Sequence, residues 1–480
     1  MVIEISEIEV YNSFDDVSRL VFSKEAFERA KAPPSVLAKG DSKSLMFQQR
    51  YFMILQQLFR DSKFVDTARG KRGADFPVIS FGTDVPKSDE PVMNSASLLS
   101  VHAIEESASW KFDVTPVESL PGSISVKIVF GMLTKGGDGK LYVEDIHQAV
   151  PMKIDGVLAS NDFITENMFV LLKGEMVDEL FVVTEMTLPP VPQRSLCESS
   201  VNLFGGPSEA TEEIVLSTIG GAPEDSSIAV LANVLLENPR TIEQLHLLFS
   251  GFEECDAIPN AFVLMGDFIS KPFNSNSGES LRNFQRSFDG LSQLLAKHPV
   301  TLERSKIILV PGPSDPTRGV YPQAPLSDAL VRGAASRFPS VILSTNPCRI
   351  RFYNRQILLF SGDIVQPLRR SRMVASKQTH MAEEQESEMV IRSVLSQMHL
   401  CPGPARDQAV IWDFDAGMRL YPPPSALFLS DTRLGSSQTD FHGETVVVVM
   451  PKFVSTFESS GEFHLYSPHS NESTISSVST

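Results

Sequence analysis

Between Ile228 and Tyr466 the chain repeatedly sets short, almost wholly apolar runs beside segments with the period of an amphipathic helix. Ile228 to Ala232, Ala261 to Met265, Lys306 to Val310, Ala426 to Leu429 and Thr445 to Met450 are such runs. A strand apolar on both faces must be covered on both faces, which points to layered α/β architecture. The intervening helices carry their own start signals. Asn238-Pro239 supplies an N-cap and a first-turn proline for a helix bearing Ile242, Leu245, Leu248 and Phe249. Leu281 to His298 is expected as a second helix, with Phe284, Phe288, Leu291 and Leu295 on one face, and Glu384 to Leu400 as a third. Val341 to Ser344, Arg349 to Tyr353, Gln356 to Phe360 and Glu462 to Tyr466 complete the expected strands.

Residues 95–190 have a different rhythm. Ile124, Val126, Ile128, Phe130 and Met132 alternate as one face of a strand, and Lys135-Gly136-Gly137-Asp138-Gly139-Lys140 supplies a tight turn into Leu141 to Asp145. Gln148 to Ile154, Met168 to Glu175 and Leu180 to Leu188 bring the count to about five strands, with room for a small helix between the third and fourth. That pattern predicts an OB-fold barrel. Its aromatics Phe130, Tyr142, Phe169 and Phe181 each lie inside an apolar strand, so they are expected in the core rather than as a base-stacking platform.

The fold class is therefore α/β plus all-β: an OB-fold barrel joined to an α/β sandwich, with a short N-terminal helical segment. Residues 1–94 form that segment, with a packing helix at Ser44 to Arg60 (Phe47, Tyr51, Ile54, Leu55 and Leu58 on one face) and a linker from Asp61 to Asn94. Residues 95–190 are the barrel, 191–466 the sandwich after the Pro189-Pro190-Val191-Pro192 junction, and 467–480 a frayed Ser-rich tail.

Charge limits what such a chain can bind. Lys plus Arg number 42 against 59 Asp plus Glu, and a net charge of −17 opposes broad wrapping of a phosphate backbone, so any DNA contact is expected to be local or indirect. Arg349, Arg351 and Arg355, with Arg369, Arg370 and Arg372, are the notable basic clusters and are expected on solvated faces. No apolar run reaches the roughly 18 residues of a membrane span, and the acidic, alternating N-terminus is unlike a secretory signal; a soluble, unexported chain is expected. The four scattered cysteines (Cys197, Cys255, Cys348 and Cys401) read as reduced, buried thiols.

Ligands of an open α/β sheet gather beyond the C-terminal ends of its strands. Those places read Asn233-Val234-Leu235, Gly266-Asp267-Phe268-Ile269-Ser270, Pro311-Gly312-Pro313-Ser314-Asp315 and Ser430-Asp431-Thr432-Arg433, and together they resemble the calcineurin-like metallophosphoesterases. Active members of that family hold two divalent metals with Asp-x-His, Gly-Asp-x-x-Asp, Gly-Asn-His-Asp/Glu and Gly-His-x-His at these positions. Closely spaced dications need carboxylates to offset their charge and imidazole or amide ligands to complete coordination. Here Asn233 and Leu235 replace the first Asp and His, Ser270 the bridging carboxylate, Pro313 the amide ligand and Ser314 the catalytic histidine. Asp267, Asp315 and Asp431 remain. The expectation is an inactivated site with no metal, no cofactor and no enzyme activity. None of His246, His298, His442 or His464 stands where it could replace a ligand, and no nucleophile-elbow, P-loop or dinucleotide motif is present.

A barrel followed by a phosphoesterase domain without its ligands resembles the B-subunit family of the replicative DNA polymerases. Asn202-Leu203-Phe204-Gly205-Gly206-Pro207-Ser208, Val310-Pro311-Gly312-Pro313-Ser314-Asp315-Pro316 and Ser344-Thr345-Asn346-Pro347-Cys348-Arg349-Ile350 are most similar to its DNA polymerase epsilon branch, as is Met46-Phe47-Gln48-Gln49-Arg50-Tyr51. The resemblance implies a non-catalytic nuclear scaffold in DNA replication. Its implied partners are the zinc-containing C-terminal region of the catalytic subunit of DNA polymerase epsilon and, through the holoenzyme, smaller histone-fold subunits and the replicative helicase. The helical domain with which many members dock on that helicase is not read in this sequence. The alternatives are the B-subunit of polymerase delta or alpha, an active metallophosphoesterase and a free single-strand-binding protein.

Overall fold

The computed structural model describes residues 8–11, 40–61, 63–66, 112–160, 162–198, 221–316, 319–353, 355–374, 383–441, 444–454 and 460–478. Three sheets organise them. The first runs β13 (Val341–Leu343), β12 (Lys306–Val310), β11 (Ala261–Met265), β10 (Ile228–Leu231), β19 (Gly461–Ser467), β20 (Glu472–Val478). β10 to β13 are parallel and β19 and β20 antiparallel. The second runs β1 (Ile8–Tyr11), β14 (Cys348–Phe352), β15 (Arg355–Ser361), β16 (Ala426–Ser430), β18 (Thr445–Val449), β17 (Ser437–Phe441).

Alternation explains how the sheets stack. Val230, Val263 and Ile308 from one sheet and Ile350, Leu359, Phe428 and Val448 from the other meet in one apolar layer. The residues between them in sequence point outward: Leu231, Phe262 and Leu309 pack under helices α2 (Pro239–Glu254) and α3 (Gly278–Leu295). Asn238 caps α2 by accepting from Arg240 N, with proline in the first turn, as expected. The predicted helix to His298 instead ends at Leu295, because Pro299 starts a separate helix, Pro299–Arg304, with His298 at its N-cap position.

The third sheet closes. β4 (Lys127–Lys135), β5 (Leu141–Glu144), β6 (Ala149–Lys153), β9 (Leu180–Thr187) and β8 (Phe169–Val177) pair in that order, and β8 pairs back onto β4. This five-stranded circuit is the expected OB-type barrel. The turn after Lys135 forms as expected, with Gly139 at a positive φ of 80°. The expected small helix before β8 is not found; β7 (Leu158–Ala159) lies there and pairs with β9.

β4 is buried on both faces. Val129 and Leu133 fill the barrel, while Ile128, Phe130 and Met132 face helix α1 (Ser42–Arg60). Ile124, expected on that strand, precedes it and is 99% exposed. Phe130, Phe169 and Phe181 are buried as expected, and Tyr142 is half-buried. Helix α1 lays Met46, Phe47, Tyr51, Ile54 and Leu58 on the barrel's outer face, with Leu55 at its margin. Asp41 stands at its N-cap without a side-chain capping bond.

The barrel core continues without a break through Phe163 and Ile164 into helix α5 (Glu383–Ser396) and the outer face of the second sheet, Leu358, Phe360, Leu427 and Val449. A single apolar cluster therefore ties the barrel to the sandwich.

Several expectations change. The stretch after Asp61 is not all linker: β2 (Phe64–Asp66) pairs with β3 (Phe112–Thr115), which pairs with β4. The Ser-rich end is not frayed, because Glu472 to Val478 completes a seven-residue antiparallel ladder with β19. Cys255 is exposed at the end of α2, whereas the other three free thiols are buried. The arginine clusters are only partly solvated: Arg369 and Arg370 are exposed as expected, with Arg369 paired to Glu386, whereas Arg349 donates to the carbonyls of Gly417 and Arg419 and Arg355 to those of Pro468 and His469. Asn202 to Ser208 and His442 lie outside the described residues.

Candidate functional site

The strand ends converge as the topology of a parallel sheet requires. Gly266-Asp267 follows β11 and Gly312 to Asp315 follows β12, and the two loops interlock. Asp315, fully buried, accepts from Phe268 N at 3.0 Å and from Gly312 N at 2.8 Å. Asp267 Oδ1 accepts from Ser314 N at 2.7 Å. Glycine is required at this crossing: a Cβ on Gly312 would lie 2.5 Å from Asp267 Oδ1 and 2.6 Å from the backbone of Gly266.

Burial raises the pKa of both carboxyls. Asp315 is pushed well above the usual carboxylate range by loss of solvent and then by the neighbouring charge of Asp267, against the pull of its two amide bonds. Asp267 is raised by burial, partly offset by Ser314.

The other expected positions serve the fold in similar ways. Asn233, at a positive φ of 53°, donates from Nδ2 to Ser430 Oγ at 3.0 Å. Leu235 is half-buried and Ser270 is exposed, with its backbone N–H donating to Glu237. Pro313 and Ser314 are half-buried. Asp431 accepts from Ile364 N at 2.8 Å, Val365 N at 3.0 Å and Arg433 N at 3.0 Å, and so caps helix α4 (Val365–Ser371).

Three further participants are not read as site residues from the sequence, although Asn346 lies in the Ser344 to Ile350 segment. Asp363, just past β15, pairs with Arg433 at 2.7 Å, and its carbonyl accepts from the Gln408 side-chain amide at 2.8 Å. For Asp363, the Gly362-Asp363 pair at a strand end is the available signal. Tyr321 packs edge-on against Phe360, and its phenol is raised well above its ordinary value by burial, then by the charges of Cys401, Asp267, Asp363 and Asp431. Asn346 bridges the loops, donating to Gln323 Oε1 and the Ser361 carbonyl at 2.6 Å each, while Ser361 Oγ donates to the Gly266 carbonyl at 3.1 Å.

Among the described residues no three His, Cys, Asp or Glu side chains come together as a group that could hold a metal ion. The described histidines among those named from the sequence lie elsewhere. His298 connects His246 (2.7 Å) to Glu253 (2.9 Å) beneath the outer helices, and His464 is buried in β19.

Comparison with known proteins then bears on the whole arrangement. Residues 228–438 match the model of the DNA polymerase alpha/epsilon B-subunit, and residues 87–190 match that of the DNA polymerase epsilon subunit 2-like OB-fold domain. Both regions are similar to DNA polymerase B-subunits. Among its curated relatives, the DNA polymerase epsilon B-subunit of Arabidopsis thaliana is 31% identical over 327 residues, covering 66% of this chain and 61% of the relative. DNA polymerase epsilon subunit 2 of Mus musculus is 31% identical over 342 residues, 68% of this chain and 62% of the relative. That of Homo sapiens is 28% identical over 407 residues, 83% of this chain and 69% of the relative. The chain thus spans about three fifths of the first two relatives' length in these matches. An archaeal phosphodiesterase structure aligns over 52% of this chain and 99% of its own at 9% identity and a TM-score of 0.27, too slight a likeness for comparing sites. The two matched regions contain the barrel circuit and the interlocked strand-end loops.

Proposed function

We propose that this chain is a non-catalytic accessory subunit of DNA polymerase epsilon, a scaffold for the C-terminal region of the catalytic subunit in chromosomal replication in the nucleus. One observation carries the non-catalytic half of that reading: the strand-end carboxylates Asp267, Asp315 and Asp431 are already committed to backbone amides of their own and neighbouring strand-end loops. The sandwich is read as a calcineurin-like phosphoesterase fold whose ligands have been exchanged. Two dications held in such a site would need a bridging carboxylate and imidazoles, and the residues present do not fit: Ser270 is exposed, Pro313 offers no side-chain donor, and Asp315 is fully buried. No hydrolytic step is derived for it.

What such a fold retains is a rigid surface. Continuous apolar packing from barrel to sandwich supports one large platform that moves as a unit. The partner reading rests on the relatives' printed names and on the family resemblance, which bring the zinc-containing C-terminal region of the catalytic subunit, the histone-fold subunits and the replicative helicase into view.

Affinity purification of the tagged chain from its own cells, followed by mass spectrometry, tests the assignment. The catalytic subunit of DNA polymerase epsilon is expected in about equal amount. Recovery of the alpha or delta catalytic subunit instead, or of no polymerase, would overturn it.

A further inference from the structure

We propose that Ser371 is a phosphorylation site for a protein kinase that selects arginine upstream of its acceptor, and that the phosphate loosens the joint between sandwich and barrel. Ser371 ends helix α4 within Arg369-Arg370-Ser371-Arg372. Arg370 is exposed and Arg369 pairs at the surface with Glu386, so one exposed cation and one held in a surface ion pair precede a half-buried hydroxyl. Kinases of this class read such cations with carboxylates.

The hydroxyl's own partner sets the consequence. Ser371 Oγ donates to Asp407 Oδ2 at 2.6 Å. That tie stands where the two bodies meet: Met373 N donates to the Ile164 carbonyl at 2.9 Å, and Arg372 lies over the Phe163 ring at 5.0 Å. Arg406 pairs with Glu166 at 2.7 Å. A hydroxyl can donate to Asp407; a phosphate ester has no proton to give and carries a charge of about −1.5 to −2. The contact with Asp407 therefore changes from attraction to repulsion, which Arg406, with Nε 3.7 Å from the same carboxylate oxygen, offsets only in part, and residues 371–373 separate from 404–407.

The step is an ordinary phosphoryl transfer from ATP. Ser371 Oγ attacks the γ-phosphorus, its proton passes to the kinase's base, the bond from that phosphorus to the bridging oxygen breaks, and ADP leaves. The acceptor is reached when the last turn of the seven-residue helix opens, a low-cost local event.

The test uses the full chain. It is incubated with an arginine-directed kinase and Mg-ATP, sites are mapped by mass spectrometry, and amide exchange is followed in residues 162–167. Phosphate on Ser371, absent in Ser371→Ala, with exchange there faster by about tenfold, is expected. Ser371→Asp should reproduce the faster exchange, and adding Asp407→Asn should reverse most of it. Phosphate that appears only on the heat-unfolded chain, unchanged exchange after phosphorylation, or no reversal by Asp407→Asn would each overturn the proposal.

Discussion

Arg50 on helix α1 and Asp415, 365 residues later, form a two-point ion pair in which Arg50 Nε donates to Asp415 Oδ1 at 3.0 Å and Arg50 Nη2 reaches the same oxygen. Both side chains are buried, at 7% and 2% exposure. Arg419 Nε donates to the other oxygen at 2.8 Å, and His399 Nε2 lies 2.8 Å from Arg50 Nη2. Burial alone would raise the Asp415 pKa, but Arg50, Arg419 and His399 outweigh it and hold the carboxyl well below its usual range. The network fixes an N-terminal helix to the sandwich.

Removing one member of that network strands the rest. Asp415→Ala leaves two buried guanidiniums without their shared anion and should destabilise the chain by about 3–5 kcal/mol. Arg50→Met leaves Asp415 still paired with Arg419 and should cost less. Chemical denaturation of the two variants checks the order; equal and small losses would contradict it.

His399 gives the network a pH dependence. Burial first, then Arg50, lowers its pKa from 6.5 to about 4 in the folded chain. The neutral ring is the folded form, with Nε2 beside both Arg50 Nη2 and Asp415 Oδ1. Between these two values the unfolded chain binds the extra proton, so this contribution is complete above about pH 6.5 and declines as pH falls toward 4. The slope is about 1.4 kcal/mol per pH unit. Stability measured from pH 7.5 to 5 should fall more steeply in the wild type than in His399→Gln; parallel curves would contradict the assignment.

The interlocked loops are sensitive to a single methyl. Gly312→Ala must push Asp267 or the Gly266 backbone aside, and strain of this kind should cost about 1–3 kcal/mol. Thermal unfolding reads this directly, and a variant as stable as the wild type would mean the crossing is looser than described.

Tyr51 ties α1 to the barrel, its ring 5.3 Å from Phe130 and 6.0 Å from Phe169. Tyr51→Ala should cost about 3 kcal/mol and speed amide exchange along α1 more than in the sandwich. Uniform exchange changes would instead indicate global weakening.

Much of the fold is legible in the sequence because burial imposes a period. The expected bounds of β11 and β12 agree with the structure to the residue, since an apolar run sandwiched on both faces admits few other readings. The strand-end residues follow from that topology. Edges are harder: β20, with Ser473, Ser476 and Ser477, carries little apolar signal because it is held chiefly by its backbone ladder to β19. β1 and β17 escape sequence reasoning for similar reasons of length and position. Arg50, Asp415 and Arg349 depend on partners tens to hundreds of residues away, and no local pattern encodes such pairs.

The central claim is that the strand-end carboxylates hold loops rather than metals. Titrating the purified chain with Mn²⁺ by calorimetry, while following hydrolysis of a phosphodiester in the same samples, tests it most directly. The expected result is no saturable binding and no metal-dependent rate. Saturable binding of two ions per chain, with hydrolysis that disappears in Asp267→Ala, would contradict it.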